Sequence, residues 1–154
     1  MNEKIVVTAD GYDRVDGRSA HCSDIKRLTL GAPTLKENQA MQIAAQLWTA
    51  REDGTLHVSA ELPIHQVFDL MIVLSRTLLY FREAYRLPML YDPGNPVIER
   101  IGLQGESLPV SVCTDNPDIG KDIQDFAQAL NDLGELTGER LRMLAGILEE
   151  LECC

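Results

Sequence analysis

The segment from Pro63 to Arg86 constrains the fold most, because it predicts a helix that is apolar on nearly every side. Proline suits the first helical position, where its missing N–H has no intrahelical partner, and Pro88 ends the run. One face collects apolar residues at helical spacing, and others flank the opposite side (Val67, Leu70, Met71, Leu74, Leu78, Phe81 and Tyr85; then Phe68, Ile72, Leu79 and Tyr80). A helix that is apolar all round is normally buried. We therefore predict that helix 63–86 is central to the fold.

A narrow line of charged residues interrupts the apolar surface of this helix. Its members are His65, Asp69, Arg76 and Glu83, which fall within an arc of about 40° on an ideal helix. The simplest interpretation is a solvated helix edge. However, exposing that edge would also expose the large apolar residues beside it, which monomers tend to avoid. The line therefore indicates either a self-association surface or the wall of a polar pocket. Charges inside the run argue against a membrane span.

Further helices are predicted on both sides of this segment. Thr34, followed three residues later by Glu37, forms a capping box that predicts a helix over 34–53. Residues 117–152 carry apolar residues at helical spacing, with Gly134 and Gly138 in the middle. Each glycine weakens a helix by about 1 kcal/mol. We favour a break there, although one kinked helix over 117–152 is the alternative.

Strand signals are shorter. Residues 3–10, 55–61, 96–101 and 108–114 favour strands, and 108–114 is expected to pair with the N-terminal strand. Pro93 and Gly94 predict a type II turn. The sequence thus predicts an α+β fold that is mainly α, with three or four helices around the central helix at 63–86. A small β-sheet from the N-terminal and 108–114 segments completes one domain over 1–154.

The charge balance excludes some partners. The 154 residues carry a formal net charge of −10, and residues 115–154 hold ten of the 24 acids but three of the 14 bases. Such a field repels phosphate backbones and anionic lipid, so we expect neither nucleic-acid nor membrane binding. The four cysteines show no C-x-x-C spacing and no secretory leader is evident, which predicts reduced thiols, no metal site and a cytoplasmic location.

Two functions compete on this sequence. No catalytic motif is present, so the leading hypothesis is an acidic cytoplasmic protein that acts through protein contacts, most simply as a homodimer. The alternative is a small-molecule-binding domain or enzyme, of unknown cofactor. Its polar pocket would lie between the mixed-charge loop at 11–30 and the charged helix line. The candidate ligand-binding residues are Arg14, Asp16, Arg18, His65, Asp69, Arg76 and Glu83.

Overall fold

A computed structural model describes residues 4–15, 24–34 and 43–152. The chain is organised in two compact units, Met1–Met71 and Ile72–Cys154. We call them the N-terminal unit and the C-terminal unit. Within the described residues they contain three α-helices and two antiparallel sheets, of four and two strands.

The N-terminal unit is built on the four-stranded sheet. Its strands are β1 (Ile5–Asp10), β2 (Ile25–Gly31), β3 (Ala44–Ala50) and β4 (Leu56–Pro63), in the order β1-β2-β3-β4 with antiparallel neighbours. A 3-10 turn, Tyr12–Arg14, follows β1. The helix α1 (Ile64–Glu83) starts directly after Pro63 and continues into the C-terminal unit.

The C-terminal unit combines a hairpin with helices. A 3-10 turn (Ala84–Arg86) follows α1, and the hairpin consists of β5 (Val97–Leu103) and β6 (Glu106–Ser111). The helices α2 (Ile119–Asp132) and α3 (Gly134–Glu152) complete the unit. Its core consists of Tyr91, Val112 and Ile123, with Tyr80, Phe81, Leu90, Ile98 and Ile119 packed against them.

Several sequence predictions are confirmed. The strands predicted near 3–10, 55–61, 96–101 and 108–114 are β1, β4, β5 and β6, and the helix predicted at 63–86 is α1 with its 3-10 extension. The favoured break in 117–152 also exists. It lies at Leu133, between α2 and α3.

The predicted fold class is wrong, because strands are a substantial part of the structure. The helix predicted over 34–53 is replaced in its second half by β3, while Glu37 and the rest of 35–42 lie outside the described residues. Residues 25–31, predicted as loop, form β2. Since β3 pairs with a strand on each side, its ladder hydrogen bonds outweigh helix propensities, which differ by less than about 1 kcal/mol per residue.

Two local predictions also fail. The strand β6 pairs with β5 and not with the N-terminal strand. A turn does form at Asp92–Asn95, closed by the hydrogen bond from Asn95 N to Asp92 O at 3.0 Å. However, Gly94 does not have the positive φ that the third position of a type II turn requires.

The helix α1 is not the buried centre that its sequence predicts. All of its residues are described, and none is buried. With the 3-10 turn it forms a 23-residue segment, Ile64–Arg86, of mean hydropathy 1.3, which is long and apolar enough to cross a membrane by length and composition. Length and composition alone do not separate a membrane span from an apolar helix that other protein covers.

Candidate functional site

Directly opposed residues form rows across the four-stranded sheet, and successive rows point to opposite faces. One row is Val7, Leu30, Ala45 and Leu62; the next row on the same face is Ala9, Leu28, Leu47 and Ala60. Every side chain in these two rows is apolar. We call these eight residues the apolar sheet face.

The apolar sheet face is concave and open. Together with Val67 from the first turns of α1, it borders a cavity of about 490 Å³. None of its eight side chains is buried, and Val7 is 54% exposed. A hollow of this size and chemistry accepts an apolar surface or an apolar ligand.

The row between the two apolar rows faces the other way and is polar. It runs Thr8, Thr29, Gln46 and Glu61. The Thr29 hydroxyl donates to Gln46 Oε1 at 2.7 Å, and Gln46 Nε2 donates to Glu61 Oε2 at 2.8 Å. Glu61 Oε2 also accepts from the Thr34 backbone N–H at 2.8 Å. This network fixes the chain at Thr34 against the sheet.

The next row on this polar side joins Asp10, Arg27 and Trp48. Arg27 forms an ion pair with Asp10, and its guanidinium lies 5.7 Å from the centre of the Trp48 ring. Trp48 Nε1 donates to the Thr29 hydroxyl at 2.8 Å, which links the two polar rows. The indole N–H is therefore satisfied, as a buried polar group must be.

Burial on this sheet is inverted. Gln46 is 2% exposed, and Thr29 and Trp48 are also buried, whereas the apolar side is the more exposed one. Polar groups are buried at little cost only when they are hydrogen-bonded, as these are. The exposed apolar side chains make no comparable interaction that would offset their contact with water. They leave apolar surface of the N-terminal unit in contact with water.

The sequence-predicted ligand residues do not all fall into one described site. Asp16 and Arg18 lie outside the described residues. Arg14 ends the 3-10 turn after β1, and its guanidinium lies against Gly11. His65 and Asp69 lie on the α1 portion of the N-terminal unit, and Arg76 and Glu83 lie on the portion that belongs to the C-terminal unit.

Within the C-terminal unit, Arg76 and Glu83 do meet around one cavity. It measures about 260 Å³ and is also lined by Tyr80, Arg82 and Glu99. Arg76 Nη1 lies 3.6 Å from Glu99 Oε2. Burial raises the pKa of the Tyr80 phenol above its ordinary value. The cavity is therefore lined by both signs of charge and a neutral hydroxyl.

Within the described part of the segment 11–30, an ion pair joins Lys26 to Asp13. Lys26 Nζ lies 3.0 Å from Asp13 Oδ2, and this hydrogen bond lowers the pKa of the Asp13 carboxyl. The pair joins the 3-10 turn to β2. Among the residues that the structure describes, no group of three His, Cys, Asp or Glu is placed to hold a metal ion.

The apolar sheet face was not predicted from the sequence. A signal existed in the alternation of Leu28 and Leu30, and of Ala60 and Leu62, but register shifts interrupt it. They occur between Ile5 and Val7, between Ile25 and Arg27, and opposite Leu47 and Trp48. Each extra residue reverses the side to which the following residues point, so β1, β2 and β4 do not keep a two-residue period throughout, whereas β3 does.

Comparisons with known proteins place the chain in one family. No curated protein and no solved structure matches it. A family model described as "Family of unknown function (DUF6530)" matches residues 1–153, which is nearly the whole chain. The protein therefore belongs to the DUF6530 family of unknown function.

Proposed function

We propose that this protein works through protein contacts, without catalysing a reaction, and most simply as a homodimer. The observation that carries the proposal is the apolar sheet face, whose side chains are exposed or half-buried while Thr29, Gln46 and Trp48 on the opposite, polar side are buried. Contiguous apolar patches of this kind mark interaction surfaces on soluble proteins.

The energetic reason is the amount of apolar surface still in contact with water. Covering one leucine or valine side chain contributes about 1.5–3 kcal/mol. Association costs an estimated 4–15 kcal/mol in lost freedom, so several such side chains must be covered together. Val7, Leu30 and Leu62 of the apolar sheet face are exposed, as are Phe68 and Leu79 of α1. Val7 and Phe68, the most exposed of these residues, have the most apolar surface left to cover in a contact.

The test is a double substitution, Leu30→Gln with Leu62→Gln, in the full chain. Both side chains point into the apolar sheet face and are partly exposed, so the fold is expected to survive while association weakens. The control is Val6→Gln, because Val6 is 81% exposed and lies at a register shift, without an opposed partner in the sheet register.

Light scattering coupled to size-exclusion chromatography gives the mass of each variant. We expect the double variant to elute with a lower average mass than the wild-type chain, and Val6→Gln to behave like wild type. If the wild-type chain self-associates and the double variant has the same average mass, the apolar sheet face is not part of the contact.

A second candidate function is small-molecule binding in the cavity beside Arg76. Opposite charges around 260 Å³ suit a small zwitterion better than an apolar ligand. Thermal shift against a panel of amino acids and related zwitterions tests it, because a ligand at 100 times its dissociation constant adds about 2.7 kcal/mol of stability. The shift should vanish in Arg76→Gln. No shift with any zwitterion would reject this function.

A further inference from the structure

The helix α3 carries a leucine stripe that the described residues cover only in part: Leu144 is half-buried and the other three leucines are exposed. Leu141, Leu144, Leu148 and Leu151 follow one another at steps of three, four and three residues, which is the a/d spacing of a coiled coil. Leu148 is 44% exposed and Leu151 is 58% exposed. No side chain of α3, all of which are described, is buried.

The order of residues along α3 is self-complementary. Gly146 is the midpoint of the leucine stripe, and within residues 140–152 its N-terminal side holds Arg140 and Arg142, whereas its C-terminal side holds Glu149, Glu150 and Glu152. The leucines are spaced symmetrically about the same midpoint. A helix with this pattern matches a second copy of itself that runs in the opposite direction.

We propose that α3 binds the α3 of a second copy in antiparallel orientation, with the two-fold axis level with Gly146. This inference rests on the self-association proposed above and names the element that sets its geometry. Leu141 then lies level with the partner's Leu151, and Leu144 lies level with the partner's Leu148. Each layer pairs an a position with a d position, which is how two antiparallel helices interlock.

Charge selects the antiparallel orientation. On one flank of the stripe, Arg142 lies within two residues, about 3 Å of helix rise, of the level of the partner's Glu149 and the partner's Glu152. On the other flank, Arg140 lies within two residues of the level of the partner's Glu150. A parallel pair would instead place the three glutamates of each copy side by side, and like charges in register are unfavourable.

The helix dipole gives a second argument. Glu149, Glu150 and Glu152 lie in the last turns of α3, where the negative end of the dipole disfavours carboxylates. In the antiparallel pair this acidic end lies beside the partner's arginines. The second copy therefore offsets a charge arrangement that disfavours the isolated helix.

The α3 pair is short, with two leucine layers on each side of the axis. A stable interface covers about 800 Å² on each partner, more than about two heptads of helix supply. The pair therefore fixes the orientation of the two copies, while other apolar surface contributes to affinity. The dimer is expected to dissociate measurably at micromolar concentrations.

The first experiment is Leu148→Gln in the full chain, followed by sedimentation velocity over a range of concentrations. Because each dimer loses two buried leucines, the dissociation constant is expected to rise about 100-fold. The control, Met143→Gln, changes a residue that is more exposed than Leu148 but lies off the stripe, and it should leave the dissociation constant within about threefold. Far-UV circular dichroism checks that both variants remain helical.

The second experiment exchanges charges. Arg142→Glu alone should raise the dissociation constant about tenfold, because it faces the partner's Glu149 and the partner's Glu152. Glu149→Arg with Glu152→Arg should weaken association similarly. Combining all three substitutions should restore it to within about threefold of wild type, which only the antiparallel arrangement predicts. Glu139→Arg, on the opposite side of α3, is the matched control and should have no effect.

The outcomes separate this inference from the proposed function. A dimer that Leu148→Gln does not weaken, or one that the combined charge exchange fails to restore, overturns the antiparallel α3 pair and leaves self-association standing. A wild-type chain that stays monomeric at every concentration overturns both.

Discussion

At the scale of single residues, Gln46 links several groups on the polar side of the sheet by hydrogen bonds. Its amide accepts from Thr29 and donates to Glu61 and to the Ala32 carbonyl, at 2.7, 2.8 and 3.2 Å. A glutamine amide can make several such bonds at once because it carries both donors and an acceptor. Its removal takes the Gln46 acceptor from the buried Thr29 hydroxyl and one hydrogen bond each from Glu61 and the Ala32 carbonyl.

Gln46→Leu should therefore lower the free energy of unfolding by about 2–4 kcal/mol, since a buried group left without its hydrogen bond costs about 1–3 kcal/mol. Chemical denaturation measures the change. The control is Gln124→Leu, which alters an exposed residue of α2 and should stay within about 0.5 kcal/mol of wild type. Equal effects of the two substitutions would show that the polar row is not a network that stabilises the sheet.

At the scale of elements, the β5–β6 hairpin depends on its two-residue turn. Gln104 and Gly105 have φ values of +54° and +80°, between the paired residues Leu103 and Glu106. Positive φ at both central positions is the type I′ geometry that matches the twist of a hairpin. Glycine adopts it without strain, whereas a residue with a Cβ does not.

Gly105→Ala should lower the free energy of unfolding by about 1 kcal/mol, because the left-handed backbone costs an L-residue about 1–2 kcal/mol. A Cβ on Gly105 would meet no neighbour, so the effect isolates the backbone term. Gly102→Ala is the control, since its Cβ also meets open space and its φ is not positive. Urea unfolding curves for both variants provide the comparison. A neutral Gly105→Ala would contradict the assigned turn.

Some of these elements could be predicted from the sequence and others could not. The helix α1 was predictable because twenty apolar-patterned residues lie between Pro63 and Pro88 without a break. The strand β3 was not, because Ala44, Leu47 and Trp48 fit a helical period as well as a strand, and the pairing with β2 and β4 decides. The apolar sheet face could not be predicted for a related reason. It depends on which residues of four strands stand opposite one another, which no single segment encodes.

At the scale of the whole molecule, α1 belongs to both compact units, with Met71 and Ile72 as neighbours in one continuous helix. We predict that 1–154 unfolds as a single domain, because melting either half of α1 breaks helical hydrogen bonds that the other half shares. Calorimetry and circular dichroism should give coincident transitions. Two separated transitions would show that the units are independent domains.

The proposed self-association depends on apolar surface that the described residues leave exposed, on the sheet, on α1 and on α3. Sedimentation equilibrium of the wild-type chain from about 1 to 200 μM tests that dependence most directly, because self-association must grow with concentration by mass action. We predict that the average mass rises from 17.1 kDa toward twice that value. A mass that stays at 17.1 kDa over the whole range, with no dependence on concentration, would contradict it.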